Sequence, residues 1–395
     1  MSSIDFDIDA DEVFELARDL IRIPSVYTQE AEISSYIYNR LDEWGMSPRR
    51  IPVEAHGPCV VSHIGEEGSP SIVLNGHMDT VEVMSGWKHD PFGAELEDGR
   101  LFGLGSLDMK CGLAAMMVAF KTLAETQSTK SHRIVFQAVS GEEDNGSGTR
   151  ALIQSGEFEG AEAVIVGEGF GGLSAITHGR RGGAYYDFEV KGQSAHGAAP
   201  HLGKNAIVDA SKIICALEKV ELAVSDTLKS DAFDQLRETQ TVLRVSGGGV
   251  SLSVPERCTL SLVRCTIPGG RTDLMGELDS MVRDLSLECE VDIVFKGGPG
   301  DLYLPYLTRP DSVLVKDAVA SVIEHTGKNP ILVCGVSEAD DNLVSQELGL
   351  PVICVGPGES GETARYHQPE ESISVSQLAT AAKVYCSTVQ RLTGS

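Results

Sequence analysis

Basic residues are scarce in this 395-residue chain: 32 Lys and Arg stand against 58 Asp and Glu, a formal net charge of −26. Such a charge repels polyanions and no local Lys/Arg cluster offsets it, so no nucleic-acid or anionic-membrane partner is expected. No apolar run reaches the roughly 20 residues that a membrane span needs. The N-terminal stretch MSSIDFDIDADEVFELARDL is acidic and lacks the basic start and apolar centre of a signal peptide, which predicts a cytoplasmic protein. The nine cysteines never form C-x-x-C and several lie inside apolar runs, so neither a disulfide framework nor a thiolate zinc site is expected. Also missing are G-x-S-x-G, H-E-x-x-H and the P-loop pattern, the usual marks of serine hydrolases, zincins and NTPases. GEGFGG at 167–172 does satisfy G-x-G-x-x-G. The next residues, LSAITHGRRGGAYYDFEV, are strand-like and Gly-broken, however, and not the helix whose N-terminus holds a pyrophosphate.

The chain does contain an ordinary globular balance, 42% hydrophobic and 23% charged, over a length that predicts two domains. Up to about residue 180, short apolar runs (CVVSHI, SIVLNG, RIVFQAV, EAVIVG) alternate with helical patterns, among them the long apolar LAAMMVAFKTLAET. That texture predicts an α/β domain with a mostly parallel sheet covered on both faces. From 181 to 296 the pattern becomes β-α-β-β-α-β, a small open sheet with both helices on one face, punctuated at its end by GGPGD. The first texture then returns for 297–395, so one domain interrupts the other.

The chemistry-bearing residues cluster by position. In an open parallel sheet, ligands bind beyond the carboxyl ends of the strands. His77 and Asp79 come directly after SIVLNG, Glu142 and Glu143 after RIVFQAV, Glu168 after EAVIV, and His367 lies beyond PVICVG. Asp108 sits in a Gly-rich turn that opens a helix. Each alone has a plain structural explanation; together they form an N/O donor set suited to zinc, cobalt or manganese. Residues two apart at a strand end point the same way, which lets the Asp79 carboxylate orient His77. Adjacent Glu142 and Glu143 point apart, so one can ligate while the other serves as general base.

NGHMDTV, GLGSLDMKCG, SGEED and SAHGAAP resemble, in order and over nearly the whole chain, the signature segments of the aminoacylase, acetylornithine deacetylase, succinyl-diaminopimelate desuccinylase and carboxypeptidase G family of dinuclear metallohydrolases. The resemblance implies a zinc-peptidase-like catalytic domain (1–180 and 297–395) and an inserted ferredoxin-like dimerisation and lid domain (181–296). It implies two divalent ions, zinc first with cobalt or manganese as alternatives, held by His77, Asp108 and Glu168 and by Asp108, Glu143 and His367. Glu142 becomes the general base and Asp79 the residue that orients His77. His196 reaches the oxyanion across a homodimer. Arg264 grips a substrate carboxylate, and Arg181 and Asn205 join the substrate-binding candidates. The implied reaction is hydrolysis of a linear amide, in an N-acyl amino acid first and in a short peptide second, with an inactive metal-binding relative as a remote third. Departures from the family pattern are Leu252 at a position often held by Asn, Cys111 in place of a glycine, and the GEGFGG setting of Glu168.

Overall fold

The computed structural model describes residues 6–126, 131–230, 234–249, 252–271, 273–296, 302–359 and 365–394. The GGPGD segment at 297–301, expected to close the second domain, lies outside them. Helix α1 (Ala10–Arg22) starts where the Asp9 carboxylate accepts from the amides of Asp11 and Glu12, and its buried Val13, Leu16, Ala17, Leu20 and Ile21 recur at helical spacing. After α2 (Ala31–Glu43) come strands β1 (Arg49–Ile51), β2 (Cys59–Ile64) and β3 (Ser71–His77). A hairpin of β4 (Glu95–Glu97) and β5 (Arg100–Phe102) leads to α3 (Cys111–Thr126), β6 (Arg133–Val139), α4 (Ser147–Gln154) and β7 (Ala161–Val166). Next are β8 (Ala175–Arg180), β9 (Gly182–Lys191), α5 (Ala206–Leu217), β10 (Thr239–Gly247), β11 (Arg257–Thr266), α6 (Leu274–Asp284) and β12 (Glu290–Phe295). The chain ends with β13 (Tyr306–Leu307), α7 (Val313–Thr326), β14 (Ile331–Gly335), α8 (Asp340–Leu348), β15 (Val352–Cys354), β16 (Ser372–Ser374) and α9 (Leu378–Thr393).

The large sheet runs β1-β2-β6-β3-β7-β15-β8-β13, with β14 also paired to β8. Strand β3 lies parallel between β6 and β7, and β15 continues parallel beside β7. All seven residues of β3 are buried because both faces of the sheet are covered. Ile72 and Leu74 point into a core shared with α1, α3, α7 and α9, while Val73 between them faces Leu152 of α4 and Val344 of α8. This is the expected α/β layering, and it sends the ends of β3, β6 and β7 to one rim.

The second sheet, β10-β11-β9-β12, is antiparallel and drawn entirely from 182–295. Tyr186, Phe188 and Val190 of β9 and Leu260 and Leu262 of β11 pack on Ile213 and Leu217 of α5 and Leu278 of α6. Within SLSVPERCTLSLVRCTI the strand described is Arg257–Thr266, and it pairs antiparallel with the earlier TQTVLRVSG. Pro255 lacks the amide a ladder needs, so regular pairing starts beyond it.

Candidate metal centre

Strand geometry delivers the first two donors. His77 is the last residue of β3 and Glu143 lies just past the end of β6, while a tight turn over 106–110 brings Asp108 between them. Gly105 opens that turn at φ 77°, where a Cβ would meet Thr80 Cγ2 at 2.6 Å. His367 arrives from far along the chain, itself at φ 56°. The result is a closed set of contacts. His77 Nε2 lies 3.0 Å from Asp108 Oδ1, and His367 Nε2 lies 3.2 Å from Asp108 Oδ2 and 3.1 Å from Glu143 Oε2. One donor atom each from His77, Asp108 and Glu143 falls within 4.8 Å of the others.

The centre carries more negative charge than two imidazoles offset. Burial, and then the charge of Asp108, pushes the Glu143 carboxyl up to about 8; burial raises Glu142 to about 7. Asp108 is held well below the usual range: burial opposes this, but hydrogen bonds from His367 and His77 outweigh it. Hydrogen bonds to Asp108 and Glu143 raise His367 to about 11. Glu143 Oε1 is buried and has no hydrogen-bond partner among the described residues. A close set of imidazole nitrogens and carboxylate oxygens, one of them a buried oxygen of Glu143, fits divalent cations such as zinc, cobalt or manganese.

The other sequence candidates fall at varied distances from this set. The Asp79 side chain does not make the expected hydrogen bond to His77. The ring Nδ1 meets the Asp79 backbone carbonyl at 3.0 Å, while the nearest Asp79 carboxylate oxygen is 3.9 Å away. That carboxylate instead accepts from the Glu143 amide at 2.9 Å and so sets the loop after β6. Glu142 lines a small cavity with His77 and Glu168, and its Oε1 accepts from the Asp340 amide at 3.4 Å. Glu168 is buried and turned to Arg180, 3.4 Å away.

In the loop after β9, His196 is exposed and its Nδ1 accepts from the Ala198 amide; among the described residues no hydrogen bond ties it to the cluster. Arg264 is not open to a substrate carboxylate. It shares the helix-covered face of β11 with Leu260 and Leu262, is 1% exposed, and faces Glu238 at 3.3 Å and Glu277 at 3.6 Å. The Asn205 side-chain oxygen is also occupied, capping α5 through the amides of Ile207 and Val208. Arg181 ties the loop after β14 to the start of β10, donating to Val336 O, Arg237 O and Thr239 Oγ1.

Residues 73–391 match the profile of peptidase family M20/M25/M40. The chain belongs to that family. As an M20 protein it is a hydrolase of amide bonds, from a family that includes dinuclear metal peptidases. Among curated relatives it is 28% identical over 395 residues to succinyl-diaminopimelate desuccinylase of Pseudomonas syringae pv. tomato, covering 97% of this chain and 98% of that one. It is 31% identical over 194 residues to a probable succinyl-diaminopimelate desuccinylase of Staphylococcus epidermidis, and there the match spans 49% of this chain and only 47% of the relative. Among solved structures, aminopeptidase PepT from Bacillus cereus superimposes with a TM-score of 0.78 at 21% identity, covering 98% and 99% of the two chains. The Bacillus subtilis YXEP protein, described as a dinuclear metal-binding M20 peptidase, gives 0.72 at 15% identity, with 98% of each chain covered. These structural likenesses concern the fold. Among the described residues no helix is long and apolar enough to cross a membrane.

Two buried groups at this M20 centre escape sequence reasoning. Arg180 is 1% exposed and pairs with Asp341 at 2.8 Å as well as facing Glu168. Asp340 accepts from Thr149 Oγ1 at 2.7 Å beside Glu142. Neither belongs to a segment that carries the family resemblance, and because α8 (DDNLVSQEL) and β8 (AITHGR) hold several other polar residues, composition gives no signal that singles them out.

Proposed function

We propose that the chain is a dinuclear-metal deacylase that hydrolyses the amide of an N-acyl amino acid, of the succinyl-diaminopimelate kind. The observation that carries this reading is the convergence of His77, Asp108, Glu143 and His367 on one point at the strand-end rim. Relatives that align along nearly the full chain and bear the desuccinylase name support the substrate class. In this proposal His77, Asp108 and Glu168 hold one cation, Asp108, Glu143 and His367 hold the other, and zinc is the first choice. Cations held there supply charge that polarises a carbonyl and acidifies water.

The chain's own groups do the rest. Glu142, with its carboxyl raised to about 7 by burial, is suited to take a proton from water near neutral pH and return it to the leaving amine. The Asp79 carbonyl fixes the His77 ring, leaving Nε2 free to face the centre. His196 of the partner subunit supplies a donor to the developing oxyanion, which makes a homodimer part of the proposal. A cytoplasmic setting is supported by cysteines such as Cys59, Cys111 and Cys386, which are buried as thiols in the apolar core.

The peptidase description of the matching family favours a second reading, a peptidase acting on dipeptides or other short peptides. The deciding experiment is a panel of succinyl-diaminopimelate, acetyl-ornithine, other acylated amino acids, acyl-lysines and dipeptides, each assayed after chelation and after adding back zinc, cobalt or manganese. Metal-restored turnover of acyl amino acids, lost in Glu142→Gln by about 10²–10⁴-fold, supports the proposal. Full turnover after exhaustive chelation refutes it.

A further inference from the structure

Directly after His367 the chain reads Gln-Pro-Glu-Glu, and the two adjacent carboxylates turn in opposite directions. Glu371 is 1% exposed. Its Oε2 accepts from the Gly105 amide at 2.8 Å, and its Oε1 accepts from Leu107 at 2.7 Å and Asp108 at 3.0 Å. Three buried amides of the Asp108 turn thus end on one carboxylate. Glu370 faces the other way, where its Oε1 accepts from the amides of Lys88 at 2.6 Å and His89 at 3.1 Å. Its Oε2 meets His89 Nδ1 at 2.9 Å, and that imidazole is stacked on Phe102 with centroids 4.0 Å apart.

The short segment from His367 to Glu371 therefore ties together the two loops that flank the β4–β5 hairpin, both of them more than 260 residues earlier in the chain. The Asp108 turn needs such an anchor. Asp108 has non-helical torsions (φ −122°, ψ 93°) inside a turn that otherwise runs into α3, so the helix alone does not set its direction. Both of its oxygens must aim correctly, Oδ1 at His77 and Oδ2 at His367. A carboxylate accepting backbone amides is a strong, charge-assisted tie. The same five-residue segment holds the His367 ring and the Asp108 backbone, so their 3.2 Å separation is set locally although the two residues lie far apart in sequence.

We infer that Glu371, assisted by Glu370, is a positioning residue that sets the spacing between Asp108 and His367 and thereby the affinity of the second cation site. This rests on the dinuclear-metal reading of the centre. Glu371→Gln keeps the shape but presents an amide N–H₂ to amides that need an acceptor. The test is titration of the chelator-treated full chain with Co²⁺, monitored by visible absorption and calorimetry, beside wild type and Glu371→Asp.

Wild type should take up two equivalents. Glu371→Gln should keep one and bind the other about 10–100-fold more weakly, with an altered cobalt spectrum, an unchanged fold by circular dichroism and a fall in kcat larger than the change in KM. Glu371→Asp should recover part of the loss. If Glu371→Gln does not fold, Glu370→Gln carries the test: its side chain is 28% exposed, and it should weaken the same equivalent. A folded variant that binds two Co²⁺ with wild-type affinity overturns the inference and leaves the metal reading standing. A wild-type chain that binds no Co²⁺ overturns both.

Discussion

Alanine at position 112 should push the two sides of the metal centre apart. Gly112 lies in the first turn of α3, four residues beyond Asp108, and a Cβ there would stand 2.1 Å from the carbonyl oxygen of Gly167, the residue before Glu168. Ordinary contact begins at 3.4 Å, so the methyl is more than an ångström too close. The carbonyl has nowhere to retreat: a Cβ on Gly356 would meet it at 2.2 Å from the other side, and Tyr385 OH donates to it at 3.4 Å. In an open helix the same change stabilises by up to ~1 kcal/mol. Overpacking of this kind costs roughly 1–3 kcal/mol, and a 2.1 Å approach to a backbone oxygen belongs at the upper end, so a net loss of about 2 kcal/mol is expected. A shift of ~1 Å between Asp108 and Glu168 should also lower turnover by about 10²-fold. Thermal melts and steady-state kinetics on Gly112→Ala measure both. A melting temperature at or above wild type with unchanged kcat would show that α3 and β7 are not in the close contact described.

Buried charge gives two further expected outcomes. Arg264→Met leaves Glu238 buried and unpaired, so it should cost about 3–5 kcal/mol in stability, read by chemical denaturation. A stable variant with only a raised KM would instead restore Arg264 to the substrate. Glu157 supplies a pH test far from the metal centre. Burial alone would raise its carboxyl, but His63 and Arg49, the latter 2.8 Å away, hold it below the ordinary value. A depressed folded pKa gives stability above the unfolded value of about 4.3 and loses it as pH falls through the folded one. The melting-temperature gap between wild type and Glu157→Gln should therefore be widest near neutrality and close under acid. A gap that stays constant to low pH would mean that Glu157 gains nothing from these partners.

Much of this was legible in residue order because it depends on local periodicity. Continuous apolar runs mark β3, β6 and β7 as strands buried on both faces, and helical spacing marks α1 and α3. Once the strands are parallel, His77, Glu143 and Glu168 must emerge at one rim. Even the direction of Arg264 was readable: Cys258, Leu260, Leu262 and Arg264 alternate along β11, so the arginine shares the apolar, helix-packed face. Only the tertiary structure decided which polar group meets which. The Asp79 carbonyl takes the His77 ring, its carboxylate takes the Glu143 amide, and Glu371 reaches a turn more than 260 residues earlier in the chain. Periodicity says which way a side chain leaves its own element. The partner it finds is set by how distant elements pack, and buried polar groups take whichever donor or acceptor that packing leaves within reach.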